Sequence, residues 1–255
     1  MTAFIYSYQF VISKIMPQEF TLQGYIIKTQ DLNEADLLLT FFSRESGKIR
    51  FIAKSAKKMM SKLRGRLQPN CLTRVSLTSN GSLPLVINSE VLKSYQKIIN
   101  YQDKIQAVMA MQEIVLKALP DELPNQGLFN SFEDCLQILD SNHNYPALIV
   151  LLKFLNQALQ ALGFAPELLS ANTSLPRQIF YNLSEGKFKT QYLSASDQPI
   201  GSEAYQLLLD LQIEFILDLP ETLAGKELFK VLVSFLTYQL ERDLKATDYF
   251  LHQLA

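Results

Sequence analysis

The first third of the chain alternates short apolar runs with polar turn signals, a pattern that predicts β-strands. In the third run, KIRFIAK, the apolar Ile49, Phe51 and Ala53 share one face and cationic side chains share the other. The predicted strands are Leu22–Thr29, Leu37–Ser43, Lys48–Lys54, Cys71–Ser79 and Leu83–Leu92. Five short antiparallel strands with an insertion after the third are typical of the OB-fold barrel.

Turn signals separate these strands. Arg44–Gly47 predicts a hairpin turn with its glycine at positive φ, and Asn80-Gly81 predicts a second hairpin. A polar loop, Asp31–Asp36, follows the first strand. The insertion Ser55–Gln68 is predicted to be a basic loop with a short helical turn.

After Tyr95 the apolar residues recur at helical spacing, with prolines in the breaks. Arg177–Leu193 departs from this pattern and predicts a small hairpin that turns at Glu185-Gly186. The predicted helices are Tyr101–Leu119, Leu128–Leu139, Pro146–Leu162, Ser202–Leu217 and Gly225–Leu254.

These patterns predict an α+β, multidomain protein. We expect an extension over residues 1–17, a five-stranded OB-fold barrel over 18–97, and a mainly helical domain over 98–255 with a hairpin inserted at about 177–193. The composition, 48% hydrophobic and 19% charged, is that of a folded globular protein.

Several classes of protein are not favoured by the sequence. No run reaches 18 apolar residues, so we expect no transmembrane helix. Cys71 and Cys135 lie far apart without a CxxC motif, which argues against disulfides and zinc and fits a reducing cytoplasm. The apolar N-terminus lacks a basic region and a cleavage site, so we expect no signal peptide; a natural start at Met16 is an equally good interpretation.

Charge divides the chain into two halves. Residues 1–100 carry a balance of +8 and residues 101–255 a balance of −9, although the whole chain is at −1. Opposite signs suggest two domains with different partners. The positive charge is concentrated between Arg44 and Arg66, where nine cations accompany a single acid, Glu45.

This basic stretch is the candidate DNA-binding site. Lysine and arginine neutralise phosphates, and aromatic side chains stack on bases. Phe42, Phe51 and Tyr25 are the aromatic candidates, although Phe51 shares a face with Ile49 and is better explained as core. The alternative is an ordinary solvated face. The candidate DNA-binding residues are Arg44, Lys48, Arg50, Lys54, Lys57, Lys58, Lys62, Arg64 and Arg66.

Catalytic motifs are weak by comparison. Asp31, Glu34 and Asp36 lie close together but have no accompanying nucleophile, so a capping or arginine-pairing role is favoured over metal binding. His143 and His252 have no partner motif and are predicted to lie on the surface. We therefore predict no catalytic residues, no cofactor-binding residues and no metal site.

The residues from Phe20 to Asn70 resemble the N-terminal domain of the recombination mediator RecO. The shared features are a loop with Glu-x-Asp, then Ser-Arg-x-x-Gly-Lys, Ala-Lys-x-Ala-Lys-Lys and Ser-x-Leu-Arg-Gly-x-Leu-Gln-Pro. The segments Ala161–Leu168, which reads ALGFAPEL, and Leu240–Lys245, which reads LERDLK, are also similar to that family. The resemblance covers about residues 18–254.

The resemblance implies an OB-fold and a helical C-terminal domain that together bind single- and double-stranded DNA and anneal complementary strands. It also implies binding to RecR and to the acidic tail of single-strand-binding protein, help in loading RecA, and a place at the nucleoid. Many relatives hold zinc with four cysteines, but Leu169–Pro199 contains no Cys or His. We therefore expect no zinc, and apolar packing of the hairpin through Ile179, Phe180, Phe188 and Tyr192.

The sequence thus predicts a non-enzymatic mediator of DNA repair. A protein–protein adaptor, whose basic barrel docks an acidic partner instead of DNA, is the alternative. A nuclease that uses the carboxylates of Asp31–Asp36 is a third and weaker hypothesis. For the tail of single-strand-binding protein, the second half offers few cations as candidates: Lys104, Lys117, Lys153 and Arg177.

Overall fold

The computed structural model describes residues 18–63, 65–79, 81–141, 143, 145–169, 176, 178–213 and 222–253. These residues form two compact units. The first contains residues 18–94 together with Asp121–Pro124, and the second contains residues 95–120 and those from Asn125 onward. The Asp121–Pro124 segment thus packs in the first unit although it lies between two helices of the second in sequence.

The first unit is a closed five-stranded barrel, which confirms the predicted OB-fold. Its strand order is β1-β2-β3-β5-β4, and the barrel closes through a parallel pairing of Ile52 with Leu85. The predicted insertion after the third strand is present, and residues 54–63 and 65–70 of it are described. The strands are β1 (Gln18–Asp31), β2 (Leu37–Ser43), β3 (Gly47–Ala53), β4 (Cys71–Ser79) and β5 (Leu85–Ser94).

Alternation along the strands determines the barrel core. Phe51 and Ala53 of β3 are fully buried and Ile49 nearly so, whereas Arg50 and Lys54 are exposed, as the pattern predicts. The rings of Phe41 and Phe51 lie 5.5 Å apart in the interior. Gly24 allows β1 to pass very close to β2, because a Cβ at this position would lie 2.0 Å from the carbonyl oxygen of Phe42.

The second unit is mainly helical. A 3₁₀ turn, Lys97–Asn100, precedes the first helix. The helices are α1 (Gln102–Ala118), α2 (Gln126–Leu139), α3 (Ala147–Ala161), α4 (Ser202–Ile213), α5 (Leu223–Leu240) and α6 (Lys245–Gln253). Among the described residues, no helix is long and apolar enough to cross a membrane.

One predicted helix is wrong. The stretch Gly225–Leu254 forms two helices, because Glu241 adopts a left-handed conformation with φ of 51° and ends α5. Such a cap stops the helical hydrogen-bond ladder, and the apolar periodicity on its two sides does not reveal it. The end of the predicted helix Ser202–Leu217 lies outside the described residues beyond Ile213.

The inserted hairpin belongs to a three-stranded sheet, β7-β6-β8. Its strands are β6 (Ile179–Asn182), β7 (Lys187–Lys189) and β8 (Asp197–Ile200). The hairpin of β6 and β7 was predicted, but β8 was missed. β8 has only four residues and contains Pro199, which an edge strand tolerates but which weakens the sequence signal for a strand.

The packing of this sheet agrees only in part with the prediction. Ile179 and Phe188 are buried, whereas Phe180 and Tyr192 contact each other with Tyr192 61% exposed. Tyr181 supplies a fully buried ring in this sheet. Its ring centroid lies 4.6 Å from that of Phe188. Tyr181 was absent from the prediction because a tyrosine hydroxyl usually favours the surface.

The Asp197 carboxylate joins the chain before β8 to the sheet. Its Oδ2 accepts hydrogen bonds from the backbone N–H groups of Leu193 at 2.7 Å and Ser194 at 2.8 Å, and its Oδ1 accepts one from Asn182. These bonds, chiefly the one from Leu193, lower the pKa of Asp197 to about 2. The charged carboxylate therefore holds the turn over the ordinary pH range.

Candidate nucleic-acid interface

Asp36 positions the start of the basic loop, which is the segment 54–63 and 65–70 that follows β3. Its Oδ1 accepts a hydrogen bond from the backbone N–H of Ser55 at 2.7 Å, and its Oδ2 accepts one from the Asn33 amide at 2.9 Å. Ser55 is left-handed, with φ of 56°, so the chain turns sharply where β3 ends. The hydrogen bond from Ser55 is the main cause of a lowered pKa for Asp36, so the carboxylate stays charged.

Lys57 ties the basic loop to the same acidic loop. Its backbone N–H donates to the Ala35 carbonyl at 3.0 Å, and its ammonium donates to the Asn33 carbonyl at 3.2 Å. The ammonium also lies 3.0 Å from the Asp31 carboxylate. Asp31 and Asp36 therefore act as structural anchors of the basic loop, as the capping interpretation predicted.

The eight predicted cations that the structure describes do not form one patch. Arg44 lies in the β2–β3 turn and is half-buried. Lys48 and Arg50 lie on the outer face of β3, and the remaining cations belong to the loop that follows. The seven residues of β3 separate its ends by about 20 Å, because a strand rises about 3.3 Å per residue.

Asp121 pairs with both cations on the β3 face. One carboxylate oxygen lies 3.2 Å from the Lys48 ammonium and the other lies 3.7 Å from the Arg50 guanidinium. The Lys48 side chain is only 11% exposed. A cleft of about 480 Å³ lies here between β3, the β4–β5 loop at Ser82–Pro84 and the Asp121–Pro124 segment.

Backbone contacts hold the acidic segment on the barrel. The Glu122 N–H donates to the Lys48 carbonyl at 2.8 Å. Gly47 has φ of 67°, and a Cβ there would lie 2.1 Å from the carbonyl oxygen of Leu123. The predicted glycine at positive φ is thus confirmed, and it also makes room for this segment. Asp121 was missed because it lies about 70 residues from its partners, although an acidic pair between two prolines (PDELP) was a visible signal.

Three loop cations remain well exposed to solvent. Lys54, Lys58 and Lys62 are exposed, and in the part of the chain that the structure describes they make no hydrogen bond or ion pair through their side chains. Arg66 is exposed as well, but its guanidinium donates to the Ser89 carbonyl at 3.2 Å. Arg64 lies outside the described residues. The available charge is therefore concentrated on the loop and not on the strand.

The predicted aromatic contribution of Tyr25 and Phe42 is wrong, whereas the assignment of Phe51 to the core is confirmed. Tyr25, Phe42 and Phe51 are each at most 1% exposed and cannot stack on a base in this structure. Over residues 18–63, 65–79 and 81–94, every aromatic side chain is buried or half-buried. Strand alternation cannot reveal this, because outward-facing Tyr25 and Phe42 are buried as well as inward-facing Phe51.

The other candidate residues are placed as follows. His143 and His252 are exposed, as predicted. Lys104 and Lys153 are buried, with the Lys104 ammonium donating to the Leu139 carbonyl at 2.9 Å, which removes both as surface candidates for an acidic tail. Lys117 pairs with Glu113 at 3.0 Å, and Arg177 lies outside the described residues. No group of three His, Cys, Asp or Glu among the described residues is arranged to hold a metal ion.

Comparison with known proteins covers both units. The family model for the N-terminal part of recombination protein O matches residues 16–95, and the model for its C-terminal part matches residues 103–248. The DNA repair protein RecO of Desulforamulus reducens is 23% identical, over 90% of this chain and 93% of that protein.

Two further relatives match over shorter stretches. The DNA repair protein RecO of Clostridium perfringens is 33% identical over 46% of this chain and 48% of its own length. That of Dehalococcoides mccartyi is 29% identical over 60% of this chain and 59% of its own. The two family models together account for most of the chain and for both units of the fold, so the chain belongs to the RecO family of DNA repair proteins.

Proposed function

We propose that this protein is a non-enzymatic mediator of DNA repair and recombination that binds single- and double-stranded DNA through its basic loop. The observation that carries the proposal is the presentation of Lys54, Lys58 and Lys62. All three are exposed on the loop that Asp36 and Asp31 anchor to the barrel. Ammonium groups held in this way bind phosphates and release the counterions of the DNA.

The mode of binding follows from the side chains available. Lysine contacts phosphates as a point charge and carries no base preference. Because the described barrel has no exposed aromatic face, phosphate neutralisation supplies most of the affinity. We expect similar affinities for unrelated sequences and a steep dependence on salt.

We extend the proposal to the annealing of complementary strands and to help in loading RecA. A cationic surface that neutralises two strands lowers their mutual repulsion, which favours pairing of complementary strands. The acidic second half would be the protein-contact region for RecR and for the tail of single-strand-binding protein, and would help to load RecA. Its balance of −9 supports a role other than DNA binding.

The test is titration of a fluorescent single-stranded oligonucleotide and of the matching duplex, followed by anisotropy at several salt concentrations. EDTA is present throughout, because the proposed activity uses neither zinc nor magnesium. We expect binding to both DNAs, with log affinity falling by roughly 0.7 per neutralised phosphate on the single strand for each tenfold rise in salt. Absence of binding to either DNA at low salt would contradict the proposal, and binding to an acidic peptide in that case would favour the adaptor.

Replacing Asp121 with asparagine should strengthen DNA binding severalfold. The substitution keeps the shape of the side chain and the backbone bond from Glu122 but removes the charge that pairs with Lys48 and Arg50. With the exposed Arg50 guanidinium released from this carboxylate, the salt slope should become steeper by roughly 0.7. The measurement is the same anisotropy titration.

Glu90→Gln is the matched control for this prediction. Glu90 forms an exposed ion pair with Arg74 at 2.7 Å on β4 and β5, so the change in net charge is the same. If both variants gain DNA affinity equally, the effect reflects only the change in net charge. A gain specific to Asp121→Asn that disappears when Arg50 is also replaced by alanine would assign it to the β3 face.

A further inference from the structure

The corner of the basic loop has an unusual composition. The Lys58 N–H donates to the Ser55 carbonyl at 3.2 Å, and the Ser61 N–H donates to the Lys58 carbonyl at 3.0 Å, so two tight turns follow each other. Met59 and Met60 occupy the two central positions of the second turn. These positions normally carry Gly, Pro, Asn, Asp or Ser. Turn chemistry therefore does not explain the two methionines.

The methionines are also exposed where their apolar neighbours are not. Met59 is 88% exposed and Met60 is 94% exposed. Ala56 and Leu67 of the same loop are buried in the barrel core, and Leu63 packs against it. Apolar side chains of this loop therefore reach the barrel core, whereas the two methionine side chains remain in solvent. The buried residues on both sides hold the corner in place at the surface.

The surrounding charge identifies the kind of partner. The exposed Lys58 and Lys62 flank the two thioethers, so we expect a partner that combines anionic groups with apolar surface. A DNA strand has this combination in its phosphates and its bases. Methionine is flexible and polarisable and makes favourable contacts with aromatic rings, and DNA-binding proteins use it as an apolar wedge between bases.

We propose that Met59 and Met60 contact the bases of a DNA strand whose phosphates are held by the flanking lysines. This inference rests on the proposed function and adds a base contact to it. It also accounts for the lack of an exposed aromatic residue in the described barrel, since the methionines take over that role. The contact favours unstacked bases, so single strands and frayed ends are the preferred ligands.

The experiment compares a single-stranded oligonucleotide with an abasic strand of the same length, which has the same phosphates and no bases. We expect the wild-type protein to prefer the strand with bases by up to roughly tenfold, the upper end of the range for a sulfur–aromatic contact. The double variant Met59→Gln and Met60→Gln should lose this preference while its affinity for the abasic strand is unchanged. Both residues are exposed, so the variant is expected to fold normally.

The possible outcomes distinguish the base contact from the proposed phosphate binding on which it rests. Equal wild-type affinity for the two strands, or a preference that survives in the double variant, would overturn the base contact and leave phosphate binding standing. No binding to either strand at low salt would overturn both. Vesicles containing phosphatidylglycerol form a second arm. If the double variant loses binding to vesicles but keeps its strand preference, the methionines belong to a lipid contact and the inference is wrong.

Discussion

Replacing Lys54, Lys58 and Lys62 together with glutamine should weaken binding to a single-stranded oligonucleotide roughly tenfold to a hundredfold at about 50 mM salt. The three ammonium groups are exposed and make no ion pair among the described residues, so their charge is available to phosphates. Losing up to three phosphate contacts should also flatten the salt slope by as much as about 2. Anisotropy titrations at several salt concentrations give both quantities.

The control for this prediction carries the same change in charge elsewhere. Lys97, Lys230 and Lys245 are exposed residues of the second unit, and their replacement with glutamine alters the net charge equally. This control should change the affinity by less than about threefold and leave the slope unaltered. Equal losses in the two variants would mean that long-range charge, and not the loop, binds the DNA.

The second large effect concerns stability. Phe51→Ala should lower the free energy of unfolding of the barrel by about 3–5 kcal/mol, because it removes a buried ring and leaves a cavity. Phe51 is completely buried and its ring lies 5.5 Å from that of Phe41. Urea denaturation, with hydrogen exchange of the barrel strands as the readout, measures the loss in this unit.

Two further substitutions make the stability test specific. Ile87 on β5 is 48% exposed, so Ile87→Ala should cost about 1 kcal/mol or less. Phe51→Leu keeps most of the core volume and should retain full DNA affinity in the folded protein. A folded Phe51→Leu protein that had lost its preference for bases would show that Phe51 reaches the DNA, contrary to its burial.

Much of the fold follows from the sequence because local alternation is enough to define a strand and its two faces. KIRFIAK predicts both the burial of Phe51 and the exposure of Arg50 and Lys54, and the structure confirms both. The left-handed glycine of the β2–β3 turn follows in the same way from the turn chemistry of Arg44–Gly47. The concentration of cations between Arg44 and Arg66 and the resemblance to RecO are likewise visible in the linear sequence.

Among the described residues, tertiary structure decided which cations pair with a carboxylate and which remain unpaired and exposed. Lys48 and Arg50 appear equivalent to Lys54 in the sequence, yet a carboxylate about 70 residues away pairs with the first two. Lys57 is neutralised by Asp31 in the same manner. An ion pair depends on the distance between side chains in space, and a local sequence pattern contains no information about it.

Burial on the outer face of the barrel was also beyond the sequence. Strand alternation separates inward from outward positions, but it does not show whether an outward side chain is covered. Tyr25 and Phe42 are outward and buried, whereas Met59 and Met60 are apolar and exposed. The sequence by itself determined the barrel, the helical half and the basic loop, because these depend on neighbouring residues. Which cations and which apolar side chains are available to DNA was decided by contacts between residues far apart in the chain.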